Sequence, residues 1–152
     1  MSGRSVTRGN KQDYATHREF VRALEKKLGA TFTFDAAAVA ENAVCPRFSS
    51  DSLSIDWPRE GLIWLNPPFG LGAQFAAKSR LEAGKGSKVV GLFLASTGSN
   101  WFAEHVAGQA AVIFLRPRLT FVGCDQPFNR DLILIFWGFG IADYSTWDWR
   151  HE

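Results

Sequence analysis

Four consecutive residues, Asn66, Pro67, Pro68 and Phe69, place an amide, two prolines and an aromatic ring directly after the apolar run Leu62–Leu65. Each proline ring fixes its own φ near about −65° and removes a backbone donor. Asn66 precedes a proline, so it is pushed towards an extended conformation. The sequence therefore predicts a stiff loop at the end of a buried strand, which holds the Asn66 amide, the Pro67 carbonyl and the Phe69 ring in fixed relation.

These groups suit a flat ring that carries an exocyclic amine. The Asn66 amide oxygen and the Pro67 carbonyl can accept both hydrogens of an NH2 group, and Phe69 can stack on the ring. Two acceptors directed at one amine also favour the positive charge that grows on nitrogen as it attacks an electrophile. The alternative at this point is a simple Pro-Pro turn after a core strand.

The tetrapeptide resembles the catalytic motif of S-adenosylmethionine-dependent amino-methyltransferases, chiefly the DNA adenine-N6 enzymes. Other segments resemble the phage-type members of that group, in the same order along the chain; they are residues 13–16, 35–38, 41–48 and 116–121. The resemblance implies a single-domain, Rossmann-like class I methyltransferase fold. It also implies that Asn66, Pro67, Pro68 and Phe69 are the catalytic residues.

The same resemblance implies a set of cofactor-binding residues, namely Tyr14, Thr16, Asp35, Ala36, Ala38, Asp51 and Asn66. In that family the segment around Thr16 helps to bind the methionine end of the cofactor. The Asp-x-x-Ala segment that begins at Asp35 takes the place of a Gly-rich loop. Asp51 matches an acidic residue that often accepts the amino group of the cofactor adenine.

Taken from the residues alone, three of these positions have structural alternatives. Thr16 and Glu19 have the spacing of a capping box, and Asp35 could be a helix N-cap. Asp51 could form an Asx-turn with Ser52.

The apolar patterns predict three helices, at residues 16–28, 73–83 and 100–108, and five strands, at 31–34, 62–65, 88–94, 111–115 and 132–137. This alternation predicts an α/β protein with a mostly parallel sheet and an antiparallel edge strand. Residues 1–12 are polar and basic and are expected to form a flexible arm. Residues 13–152 form the predicted methyltransferase domain.

Composition limits the class of protein. A chain of 152 residues with 46% hydrophobic residues is expected to form one folded domain. The net charge of +2 gives no strong nucleic-acid signal, so any DNA contact must come from a local patch. Two cysteines and three scattered histidines indicate no metal site. The polar N-terminus and the short apolar runs predict a cytoplasmic protein without a membrane segment.

The motifs together predict transfer of a methyl group from S-adenosylmethionine to N6 of an adenine that is flipped out of duplex DNA. Arg116, Arg118 and Arg130 are the candidate DNA contacts, because arginine suits both phosphates and guanine edges. The specificity for a DNA sequence could be low or could come from a partner subunit. A dimer is therefore one possible oligomeric state. The alternatives are methylation of cytosine N4 or protein glutamine, and a catalytically inactive methyltransferase-like DNA-binding module.

Overall fold

The computed structural model describes residues 18–151, and Tyr14, Thr16 and the predicted arm at residues 1–12 lie outside the described residues. The helices are α1 (Arg18–Leu28), α2 (Gly72–Gly84) and α3 (Asn100–His105). The strands are β1 (Phe32–Asp35), β2 (Leu62–Leu65), β3 (Val89–Leu94), β4 (Ala111–Arg116), β5 (Leu132–Trp137) and β6 (Tyr144–Asp148). Short 3-10 turns lie at Ser52–Ser54 and Phe69–Leu71.

The described strands form one sheet in the order β1-β2-β3-β5-β4-β6. All strands except β5 run in one direction, because the β1–β2, β2–β3 and β4–β6 pairs are parallel and both pairs of β5 are antiparallel. The predicted α/β class with a mostly parallel sheet is therefore confirmed. The edge position of the antiparallel strand was wrong, since β5 lies inside the sheet between β3 and β4. All six β5 residues are buried, as expected for an internal strand covered on both faces.

The edge strand β6 was missed from the sequence. Its first three residues, Tyr144, Ser145 and Thr146, are exposed, and Trp147 is its one fully buried residue. Among the strands between residues 18 and 151, β6 pairs only with β4, so it needs neither a continuous apolar run nor a regular alternation of apolar and polar residues.

Helices cover both faces of the sheet. The apolar stripe of α1, which includes Phe20 and Leu24, packs against one face. Phe75 of α2 and Phe102 of α3 pack against the other. None of the helices between residues 18 and 151 is long and apolar enough to cross a membrane. The carboxyl ends of β1, β2, β3 and β4 share one edge of the sheet, which is where open α/β folds bind ligands.

A buried carboxylate fixes the segment after residue 51 against α2. The Glu82 side chain is fully buried, accepts a hydrogen bond from the Trp57 amide at 3.0 Å, and pairs with Arg59 at 2.7 Å and Lys78 at 3.0 Å. Burial alone would raise the pKa of Glu82, but these hydrogen bonds and cations more than offset it and lower the pKa to about 2. The Trp57 indole donates in turn to the Ser52 carbonyl at 2.9 Å. The network thereby positions the 3-10 turn that follows Asp51.

Candidate active site

The Asn-Pro-Pro-Phe segment forms a braced corner at the carboxyl end of β2. All four β2 residues are buried, and Pro67 is buried immediately after them. The Leu71 amide donates to the Pro68 carbonyl at 2.8 Å, which closes the 3-10 turn that leads into α2. Residues 70–72 are ordered as part of this turn and as the start of α2. The corner is therefore held from both sides by regular structure.

A first cavity of about 210 Å³ opens beside this corner. Its walls come from three segments that are distant in sequence: the loop after β1, the 3-10 turn after Asp51, and the corner with the start of α2. The principal lining residues are Ala37, Ala38, Asp51, Leu53, Pro68, Leu71 and Phe75. The fold thus brings two predicted cofactor residues, Ala38 and Asp51, to the same cavity as Pro68 of the motif.

Asp35 is buried and holds the loop that follows β1 in place. The side chain is 2% exposed, and its two carboxylate oxygens accept hydrogen bonds from the Ala37 amide at 3.2 Å and the Val44 amide at 3.0 Å. Burial raises the pKa of Asp35 to about 6, and the two hydrogen bonds limit that rise. No helix follows Asp35, so the N-cap alternative was wrong. The carboxylate instead ties together both ends of the loop that carries the cavity-lining alanines.

The Asp35→Ala variant should therefore show a pH-dependent loss of stability. Because the folded-state pKa of about 6 is above the ordinary aspartate value of 3.8, the stability that Asp35 contributes is full below about pH 4 and falls as the pH rises through 6. Loss of both acceptors should lower the free energy of unfolding by about 1–3 kcal/mol at pH 5 and by less at pH 7.5. Urea unfolding at the two pH values checks this, with Asp125→Ala, on an exposed loop, as the control. A loss of unfolding free energy in Asp35→Ala that is larger at pH 7.5 than at pH 5 would contradict this prediction.

Ala36 and Asp51 occupy different positions relative to the first cavity. Ala36 is completely buried and does not line the cavity. Asp51 is exposed at the cavity, and its carboxylate accepts a hydrogen bond from the Ser54 hydroxyl at 2.8 Å. The local turn expected with Ser52 is thus made with Ser54 instead. The carboxylate still stands where a ligand in the cavity could reach it.

Phe69 stands between the two layers of the core. Its ring packs on Phe128 and Phe121, with centroid distances of 5.4 and 6.4 Å, in the layer on the α1 face of the sheet. Phe69 and Pro67 also border a second cavity of about 210 Å³. The corner therefore borders two cavities, with Pro68 lining the first and Pro67 and Phe69 lining the second.

The three candidate DNA-contacting arginines lie at the same edge of the sheet as Asn66. β4 ends at Arg116 and β5 begins two residues after Arg130, and the two strands are antiparallel. Arg116 is 70% exposed and lies 3.5 Å from Asp148, and Arg118 is 50% exposed and pairs with Asp131 at 3.0 Å. Arg130 is exposed. Their role in DNA binding stays a prediction.

Sequence reasoning did not select Leu53, Leu71 and Phe75 as site residues, although all three line the first cavity. An available signal was that α2 follows the motif directly, so that its first turn must face the same edge as Asn66. Trp101, which lines the second cavity, was also not selected. It comes from α3, and only the tertiary fold brings α3 to the corner.

Comparison with known proteins adds an independent finding. Residues 4–132 match the family model for DNA N-6-adenine-methyltransferase (Dam). The chain is also similar to a protein of Escherichia phage T1 described as DNA N-6-adenine-methyltransferase, with 30% identity over 128 residues. That match covers 79% of this chain and 53% of the relative, so the chain spans about half the length of the phage protein.

Proposed function

Because this chain belongs to the DNA N-6-adenine-methyltransferase (Dam) family, we propose that it transfers a methyl group from S-adenosylmethionine to N6 of adenine in DNA. The observation that carries this proposal is the position of the Asn66 to Phe69 corner between two cavities at the carboxyl edge of the sheet. A methyl donor on one side and a flat substrate on the other would meet at the Asn66 amide.

The residues of the first cavity fit an adenosyl group. The side chains of Leu53, Leu71 and Phe75 supply apolar surface for a flat ring. The Asp51 carboxylate can accept a hydrogen bond from an exocyclic amine of that ring. Small side chains at Ala37 and Ala38 let a ligand approach the backbone closely. The walls thus combine an apolar surface with a few polar groups, as expected of a cofactor site.

When bound, S-adenosylmethionine supplies a methyl group bonded to a positively charged sulfur. The chain itself has to orient the target amine and to stabilise the charge that develops on it. The Asn66 amide oxygen and the Pro67 carbonyl accept the two N6 hydrogens and favour that positive charge. The adenine nitrogen is itself the nucleophile, so no covalent enzyme intermediate is required. Transfer of the methyl group to N6 would release S-adenosylhomocysteine, and one of the two N6 protons would pass to solvent. Neither Cys45 nor Cys124 has a role in this step. Burial, together with the negative charges of Asp35 and Glu25, raises the pKa of the Cys45 thiol to about 11.

A target adenine inside a duplex cannot reach such a site and has to be flipped out, which costs a few kcal/mol. Stacking on Phe69 offsets part of that cost, since base–aromatic stacking contributes about 1–3 kcal/mol per base. Arg116, Arg118 and Arg130 surround the same edge and supply the positive charge for backbone contacts.

The direct test is incubation of the purified chain with unmethylated DNA and S-adenosylmethionine, followed by mass spectrometry of the nucleosides. N6-methyldeoxyadenosine is the expected product. N4-methyldeoxycytidine would show that cytosine N4 is the methylated atom, and methylated glutamine in a protein substrate would show that the substrate is a protein. DNA binding without any methylated product would indicate an inactive methyltransferase-like module.

Replacement of Phe69 tests the stacking role. Phe69→Ala should lower the single-turnover rate on DNA by about 5- to 150-fold, which corresponds to the loss of about 1–3 kcal/mol of stacking. Phe69→Tyr keeps the ring and should retain most of the rate. Thermal unfolding of both variants measures the contribution of packing on Phe121 and Phe128. An unchanged rate for Phe69→Ala would count against base stacking at this position.

A further inference from the structure

The residues that line the second cavity suit a flat aromatic ring. It is bordered by the corner on one side and by the end of β3 and the start of α3 on the other. Its aromatic residues are Phe69, Phe93 and Trp101, and small residues, Gly70, Gly72 and Ala73, complete the wall. Phe93 is 1% exposed and forms part of the core, whereas Phe69 and Trp101 are only partly buried. These two rings are therefore the ones available to a ligand.

The neighbours of Phe69 indicate on which face of the sheet a substrate ring would lie. Towards the α1 face, Phe69 packs on Phe121 and Phe128, which also contact each other at a centroid distance of 5.5 Å. The Phe121 and Phe128 rings therefore occupy the space next to Phe69 on the α1 face of the sheet. The cavity lies towards the other face, where Phe93 belongs to the core layer and Trp101 packs against it. An aromatic substrate next to Phe69 and Pro67 would enter from this face.

Trp101 is held in place before any substrate arrives. Its ring packs on Phe93 with a centroid distance of 5.4 Å and an interplanar angle of 40°, and on Phe102 at 6.0 Å. The Ser99 hydroxyl caps α3 by accepting a hydrogen bond from the Phe102 amide at 3.3 Å. A fixed ring contributes more to binding than a mobile one, because less side-chain entropy is lost when the substrate packs on it.

We infer that Trp101 is a second base-stacking residue of this protein, which packs on the target nucleobase in the second cavity. This inference rests on the proposed function, since it names the place of the substrate in the same reaction. It assigns the two sides of the corner to different ligands: the cofactor adjoins Pro68, and the base adjoins Pro67, Phe69 and Trp101. The Pro67 carbonyl and the Asn66 amide then lie at the boundary, where the transferred group has to cross.

Substitutions at Trp101 separate stacking from packing. Trp101→Leu keeps an apolar side chain but has no ring, and it should lower the single-turnover rate on DNA by about 10- to 100-fold. Trp101→Phe keeps a ring and should recover most of that rate. The affinity for S-adenosylhomocysteine should be unchanged in both variants. A residue that served only to fill the core would show similar rates for Leu and Phe, and that result would overturn the inference.

A second variant fills the cavity from its opposite wall. Ala73 is exposed at the start of α2 and borders the cavity, so Ala73→Trp should block entry of the base. We expect the rate on DNA to fall at least about tenfold, with unchanged affinity for S-adenosylhomocysteine. Ala103→Trp, on the exposed side of α3, is the matched control. Equal rates for these two variants would also overturn the inference.

The parent protein distinguishes failure of this inference from failure of the proposed function. A parent that produces no methylated adenine refutes the function, and with it the assignment of the cavity. A parent that methylates adenine, together with Trp101→Leu and Ala73→Trp variants that do so at its rate, refutes the cavity assignment alone.

Discussion

The Asn66→Ala variant is expected to lose methyl transfer by on the order of 100-fold or more, while most of its cofactor affinity remains. Removal of the amide deletes one of the two acceptors that hold the N6 hydrogens, and the Pro67 carbonyl cannot take both. The second acceptor matters most when positive charge develops on nitrogen, so the loss should appear in the single-turnover rate. A tritiated-methyl transfer assay at saturating cofactor measures it.

Two measurements accompany this variant. Asn129→Ala, on an exposed loop, should transfer methyl groups at the parent rate. Calorimetric titration with S-adenosylhomocysteine should give similar affinities for the parent and Asn66→Ala. Equal rates for Asn66→Ala and the parent would refute the catalytic assignment, and a lost rate that merely follows lost cofactor affinity would make Asn66 a cofactor-binding residue.

The Ala37→Phe variant is expected to lose cofactor binding by at least about 100-fold, which corresponds to about 2.8 kcal/mol. Ala37 is half-buried and lines the first cavity, so a phenyl group at this position would occupy space that the ligand needs. Isothermal titration with S-adenosylhomocysteine measures the affinity directly. Methyl transfer should fall with it at low cofactor concentration.

Ala43→Phe is the matched control for this variant. Ala43 lies in the same loop between β1 and the 3-10 turn, is also half-buried, and does not line the first cavity. The control should bind the cofactor with nearly the parent affinity. If both variants bind the cofactor equally well, the first cavity is not the cofactor site. If both variants unfold at a similarly lowered temperature, any loss of binding comes from disrupted packing of the loop and not from a blocked cavity.

Much of the architecture could be predicted because buried strands have a strong sequence signal. β2, β3, β4 and β5 are short apolar runs, and the structure places each within one residue of its predicted bounds. β6 lacked that signal, because an edge strand with three exposed residues satisfies its backbone on one side only. The position of β5 could not be predicted either, since an apolar run shows that a strand is buried but not which strands are its neighbours.

The site shows the same division between local and tertiary information. The corner at Asn66 is set by two prolines, whose effect on the backbone is local, and the structure has the expected turn there. The role of Asp35 was not visible, because one of its two amide partners, Val44, is nine residues away. Trp101 reaches the corner only through the packing of α3 on Phe93. Residues that act through distant neighbours are the ones that a linear pattern does not identify.

The most direct test of the central claim is a crystal structure of this chain with sinefungin, an analogue in which an amine replaces the transferred methyl group. We predict that the adenosyl group lies in the first cavity, against Asp51, Leu53 and Phe75. The amine should lie about 2.7–3.2 Å from the Asn66 amide oxygen or the Pro67 carbonyl oxygen. An adenosyl group bound elsewhere, or an amine that points away from the Asn66 corner, would contradict the account.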